Sequence, residues 1–247
     1  MATLNEKFAV LIDECAKKNN LIKADLNPIY DGLLGNEKEW KKQDTRIMWV
    51  LKEAYDEVDN GKPKGGGWSF HDEIAEADIK DENYFPFGKK RKSKNTWLNI
   101  LYVSYGILEE KENLENDEFC EDKQKDLDIL KKISVINMSK MPGPKMTINS
   151  ELQQKFLFWK DVVLEQINSY NPNIIIFGGT YEFFKDILEL GSPIKEKYLL
   201  NIIHNAKFRV SAYKKDDTIY IDTYHPLRIS HEGVNKILKI IADIKKK

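Results

Sequence analysis

The stretch NPNIIIFGGTYEFFKDILEL, Asn171 to Leu190, decides how the chain is read. Asn171-Pro172-Asn173 makes a turn, Ile174 to Phe177 is a short apolar run, and Gly178-Gly179 breaks it before a helical pattern begins at Thr180. A buried strand that passes through a glycine turn into a helix is half of a βαβ unit, so it calls for parallel neighbours. The flanks supply them. Upstream, Asn149 or Ser150 can cap a long helix to about Tyr170, with Leu152, Phe156, Trp159, Val163 and Ile167 at inward spacing. Before it stands a second strand, ISVIN (Ile133–Asn137), followed by the Pro/Gly loop MPGPK.

Further upstream, a helix from Asn95 presents Trp97, Ile100, Leu101, Ser104, Ile107 and Leu108 on one face. TRIMWVL (Thr45–Leu51) is the first buried strand, with a loop holding Gly65, Gly66 and Gly67 after it. Residues 4–19 form an opening helix with Leu4, Phe8, Leu11, Ile12 and Cys15 on one side. Downstream, Lys207–Tyr213 and Thr218–Thr223 alternate as strands about the polar turn KKDD. A last helix carries Val234, Ile237, Leu238, Ile241 and Ile244 as one stripe. Strands separated by helices predict an α/β chain, a three-layer α/β/α sandwich with a central, mainly parallel sheet. The 247 residues are read as one domain, with residues 1–44 as a helical lead-in.

Composition narrows the function classes. At 41% hydrophobic and 32% charged residues, with a formal net charge of −1, the chain reads as a highly charged globular protein. No apolar run approaches the roughly 20 residues of a membrane span. The N-terminal segment keeps acidic residues within its apolar stretch, unlike a signal peptide, so a cytoplasmic protein is expected. Cys15 and Cys120 are too few for a Cys-ligated zinc or iron–sulfur site. The histidines His71, His204, His225 and His231 lack close metal-ligand spacing, so neither metal nor cofactor is expected. Charge is uneven: GKKRKSKN (88–95) concentrates cations and 109–126 is mainly acidic, both readable as solvated faces.

In open α/β sheets ligands bind beyond the carboxyl ends of the strands, which selects three loops. They are LKEAYDE after the first strand, INMSK after the second and TYHPLRIS after the last. Singly, each has an ordinary explanation: a carboxylate caps a helix, an Asn satisfies a turn, a His-Pro pair shapes a loop. Asp31, in NPIYDGLL, can cap a turn or approach the pocket, and the turn is favoured; Trp49, Trp97 and Trp159 are read as packing in preference to base platforms. The order and shared edge of the three loops favour a functional reading.

That ordered set resembles the uracil-DNA glycosylase-like superfamily. Asn137-Met138-Ser139-Lys140-Met141-Pro142 is similar to its strand-two loop. His225-Pro226-Leu227-Arg228-Ile229-Ser230, followed by His231-Glu232-Gly233, is similar to its His-Pro-Ser-Pro-Leu-Ser loop. Gly67-Trp68-Ser69-Phe70 resembles the segment that lays an aromatic ring on the flipped base. The pentad Lys52-Glu53-Ala54-Tyr55-Asp56 aligns in two registers. One matches Glu53 and Ala54 to a Gly-Glu-Ala-Pro-Gly form and puts Asp56 at its final Gly. The other puts Glu53 at the catalytic Asp and Tyr55 at the Tyr of a Gly-Gln-Asp-Pro-Tyr form. The pentad lacks the family's glycine and proline, and the four cysteines of the iron–sulfur branch are absent.

The resemblance implies a DNA glycosylase: a hydrolase that flips a base from DNA and cuts its N-glycosidic bond. The likeness nominates Glu53, His225 and Asn137 as catalytic. Phe70, Tyr55, Asp56 and Asn137 would bind the base. Lys62, Lys64, Ser69, Lys140, Arg228 and Ser230 would contact DNA, with Ile229 as an apolar wedge and Lys89–Lys92 as a secondary patch. DNA is then the partner, and a monomer is expected. The chemistry is coherent. A carboxylate steadies the sugar cation and orients water, a His donor receives the departing base, and an amide reads a base edge with both donor and acceptor. Repair of a deaminated base is one role. Excision of a bulkier base, such as glucosylated hydroxymethylcytosine, in antiviral defence is the alternative, and a non-catalytic DNA-binding module stands third.

Overall fold

A computed structural model describes residues 2–59, 62–77, 91–119, 122–144, 147–201 and 206–246. In chain order the elements are α1 (Leu4–Lys18), β1 (Gly32–Leu33), α2 (Glu37–Lys42), β2 (Ile47–Tyr55), β3 (Glu57–Asp59), β4 (Lys62–Lys64), α3 (Phe70–Ala75) and α4 (Arg91–Leu108). There follow α5 (Lys123–Leu130), β5 (Ile133–Gly143), α6 (Asn149–Tyr170), β6 (Ile174–Gly178), α7 (Tyr181–Leu188), β7 (Lys195–Asn201), β8 (Ala206–Lys215), β9 (Thr218–Thr223) and α8 (His231–Lys245).

The main sheet runs β1-β5-β2-β6-β9-β8-β7, and β3 and β4 form a separate hairpin. Its centre, β5-β2-β6-β9, is parallel. The outer pairings β1·β5, β8·β9 and β7·β8 are antiparallel, so the sheet is mixed and not mainly parallel as expected. Chain connectivity is the reason. β8 and β9 are joined through a tight turn with Asp216 at φ 53°, and two strands joined that closely can only run antiparallel. β7 had no counterpart in the sequence reading.

Strand alternation sends side chains to two cores. Ile47, Trp49, Ile133, Val135, Ile174, Ile176, Ile219 and Ile221 meet α4 and α8 through Trp97, Ile100, Val234 and Ile237. Met48, Val50, Ile136, Met138, Ile175 and Phe177 meet α1, α6 and α7 through Phe8, Ile12, Phe156, Trp159 and Phe184. Helices thus cover both faces, as the three-layer expectation requires.

Two local differences shape the site. The second strand does not stop at Asn137 but continues buried to Gly143, and β2 continues to Tyr55. The extensions pair with each other, Glu53 opposite Ser139 and, after a register shift, Tyr55 opposite Gly143. Backbone pairing holds them extended past the rest of the sheet, so the residues expected in loops stand on strands. At the start of α6, Ile148 occupies the cap position with no side-chain cap bond, in place of Asn149 or Ser150.

Candidate active site

A cavity of about 450 Å³ opens where β2, β5 and β9 end. Leu51, Glu53 and Tyr55, on alternate positions of β2, line it together with Asn137 of β5 and His225 just after β9. Asn137 stands directly opposite Leu51 in the strand register. Trp68, Phe70 and Trp97 form an aromatic wall. The residues nominated separately as catalytic and base-binding therefore share one concavity.

The Glu53 side chain is only 2% exposed, and its Oε2 accepts from Lys155 Nζ of α6 at 2.9 Å. Its Oε1 is buried with no hydrogen-bond partner among the described residues, a costly arrangement unless something else donates to it. Gly143 lies flat against this carboxylate, because a Cβ there would collide with Glu53 Cγ and Cδ. The glycine at the end of β5 thus makes the room Glu53 occupies.

His225 begins the 3-10 turn Pro226–Arg228, and its Nδ1 accepts from the Leu227 N–H at 3.3 Å. That bond leaves the proton of a neutral imidazole on Nε2, as a donor. Burial, followed by the nearby charges of Lys52 and Arg228, pulls the His225 pKa from 6.5 to about 4. The ring is neutral throughout the ordinary pH range. Between pH 6.5 and 4 the unfolded chain binds a proton here that the folded chain does not, so stability falls as pH falls through this window. In thermal melts, wild type should lose more stability than His225→Gln between those limits. Equal losses would show that His225 is not held neutral by the fold.

Asn137 is 2% exposed and lines the cavity. Its backbone N–H donates to Asp31 Oδ2 at 2.7 Å. Asp31 Oδ1 accepts from Lys140 Nζ at 2.6 Å and from Gln166 Nε2 at 3.1 Å, and Lys140 Nζ also donates to Gln166 Oε1 at 2.7 Å. Both charged side chains of this cluster are fully buried, at 0% exposure. Burial pulls the Lys140 ammonium below its ordinary range, opposed by the Asp31 carboxylate.

The aromatic wall is built from a loop in which Gly65, Gly66 and Gly67 all take left-handed conformations, φ 86°, 77° and 79°. Asp56 Oδ2 holds that loop, accepting from Gly66 N–H at 2.7 Å and Trp68 Nε1 at 2.8 Å. Trp68 consequently stacks on Phe70 at 5.3 Å and 25°, while Trp97 meets Phe70 edge-on at 5.7 Å. Phe70 is 3% exposed between them, and Trp68 is the less buried ring.

Several expectations need correction. Lys140 cannot touch a phosphate. Strand alternation that turns Asn137 toward the cavity turns Lys140 to the opposite face, into its pair with Asp31. Ile229 is no wedge: it is 5% exposed and packed in the core beneath α4, where its carbonyl accepts from Asn99 Nδ2. Asp56 has one carboxylate oxygen committed to the glycine loop, so its part in base binding is narrower than expected. Asp31 caps no surface turn but is a buried acceptor. Ser69 and Ser230 cap α3 and α8, accepting from Asp72 and Gly233 N–H. Lys64 pairs with Asp25 and Asp59. Lys62 and Arg228 are exposed, the latter set over the Tyr224 ring. Lys89 and Lys90 lie outside the described residues.

Sequence reasoning missed Trp68, Lys155 and Gln166, and treated Trp97 as packing alone. Apolar or helical periodicity explains each of them locally, and only proximity to Glu53, Asp31 or the cavity gives them a role. Among the described residues no cluster of His, Cys, Asp or Glu is arranged to hold a metal, and no helix is long and apolar enough to cross a membrane. No family model matches the chain, and no curated protein matches it significantly.

Proposed function

We propose that the chain is a DNA glycosylase that hydrolyses the N-glycosidic bond of a base flipped into the cavity. One observation carries this reading: Glu53, Asn137 and His225, from three separate segments, line a single cavity beside the Trp68–Phe70–Trp97 wall. A flipped base stacks on the aromatic wall, which replaces the stacking lost from the duplex. The amide of Asn137, in the cavity lining, offers a donor and an acceptor and reads the base edge.

As the bond from C1′ to the base nitrogen breaks, its electron pair leaves with the base. His225 Nε2–H donates to the charge arriving there, and a neutral imidazole does so without trapping the base as a salt. Glu53 Oε1, buried and unpartnered among the described residues, accepts a hydrogen bond from water, whose oxygen bonds to C1′ as its proton passes to that carboxylate. Lys155 holds the other carboxylate oxygen.

The cavity volume of about 450 Å³ favours a second reading of the substrate. It lies within the ~300–1,000 Å³ typical of sites for drug-sized ligands, more than a bare pyrimidine needs. A cytosine bearing a bulky, hydroxylated 5-substituent suits it, as antiviral defence would require. The test uses oligonucleotides carrying uracil, hypoxanthine, 5-hydroxymethylcytosine or its glucosylated form. After incubation and alkali, strand breaks at the modified position are expected for at least one. Fastest release of uracil favours repair, release of the glucosylated base alone favours defence, and intact strands throughout overturn the glycosylase reading.

A further inference from the structure

We propose that Asp31, backed by the buried Lys140 and Gln166, is a positioning residue that holds Asn137 in register to read the base; the role in base reading rests on the function proposed above. β1 covers the outer edge of β5 only as far as Val135, which pairs with Gly32. The next outward N–H, that of Asn137, has no strand carbonyl to meet. Asp31 Oδ2 takes that carbonyl's place at 2.7 Å. A carboxylate acceptor is stronger than the carbonyl it replaces, and a stretched or misaligned strand here would swing the Asn137 amide out of the cavity.

Asp31 does not stand free to move. Its other oxygen is held by Lys140 Nζ at 2.6 Å and Gln166 Nε2 at 3.1 Å, and Gln166 Nε2 also donates to the Asp31 carbonyl at 3.1 Å. Lys140 and Asn137 are three residues apart on one strand, so the cluster grips β5 at both ends of the segment it orients. A buried ion pair contributes little net stability compared with apolar residues of the same shape, which leaves orientation as its contribution.

Two double variants separate positioning from mere stability. Asp31→Leu with Lys140→Met removes charge and acceptor together while conserving shape. Asp31→Asn with Lys140→Met removes the charges but restores an acceptor for the Asn137 N–H. Hydrogen exchange reads the bond without reference to activity. In wild type the Asn137 amide should exchange as slowly as that of Val135, and fast exchange there overturns the proposal before any variant is made. In the Leu variant the Asn137 amide should exchange about 10–100-fold faster than in wild type, the size of one charge-assisted bond, with Val135 unchanged and the Asn variant largely restored. Equal exchange in both variants overturns it.

Single-turnover excision, normalised to folded molecules, should fall roughly 10–100-fold in the Leu variant with the Kd for DNA unchanged, and recover in the Asn variant. Wild-type excision rates in a Leu variant whose Asn137 amide is loosened overturn the positioning role alone, provided Asn137→Ala is inactive. Full activity in Asn137→Ala overturns the assignment of Asn137 to base reading, and the role of Asp31 in it.

Discussion

Replacing Glu53 by Gln should lower single-turnover excision by about 10²–10⁴ while the fold and the Kd for DNA stay close to wild type. Gln conserves the shape against Gly143, where a Cβ would already collide with the side chain, so the cavity keeps its outline. What changes is charge. The amide cannot steady a sugar cation as a carboxylate does, and its NH₂ cannot take a proton from water. The stability cost is small because Lys155, 32% exposed, regains water when its ion pair with Glu53 is lost. Gln also keeps an amide oxygen that can accept from Lys155 Nζ, and it removes the buried charge together with the pair. Excision on the substrate found by the strand-break assay, together with a thermal melt, checks both halves. A wild-type rate in a correctly folded Glu53→Gln removes Glu53 from the chemistry.

The second large effect is on stability. Lys140→Ala should cost about 3–5 kcal/mol, because it leaves the Asp31 carboxylate fully buried without its counter-charge. At roughly 2–4 °C per kcal/mol for a domain of this size, Tm falls by about 6–20 °C. Lys62→Ala, at an exposed position, should change stability by no more than about 0.5 kcal/mol. The contrast is sharp because the sequence treats the two lysines alike, as cations beside a DNA-facing loop. If Lys140→Ala melts with wild type and instead weakens DNA binding with a reduced salt slope, the buried cluster is wrong and Lys140 faces phosphate after all. The Met substitution at Lys140, combined with Leu or Asn at Asp31, avoids the penalty by removing both charges together.

The strands at the centre of the sheet were legible because each is a run of apolar, β-branched residues bounded by turns or charge. Ile174–Gly178 and Thr218–Thr223 match their expected runs almost to the residue. β7 was not legible: KEKYLLN alternates weakly and carries charge, and it pairs only at the sheet edge with β8. The long extensions of β2 and β5 were also hidden. Each segment, with its Lys, Glu, Pro and Gly, reads as a loop alone, and becomes a strand only because the other lies beside it.

The candidate site divides along the same line. Strand position marked the loops of Glu53, Asn137 and His225, and the resemblance to the glycosylase superfamily nominated those residues and Phe70, all of which line one cavity. Sequence by itself was enough for the layering, since period-2 and period-3.6 patterns sort side chains before any packing occurs. Tertiary structure alone decided which polar neighbours face the cavity and which face away. Asn137 and Lys140 differ only in strand parity, and a one-residue change of parity turns a side chain from one core to the other. The same holds for Ile229, whose apolar chemistry suits a wedge or a core equally well until α4 packs over it. Side-chain identity sets what a residue can do, but burial and partners, which depend on segments a hundred residues away, set what it does.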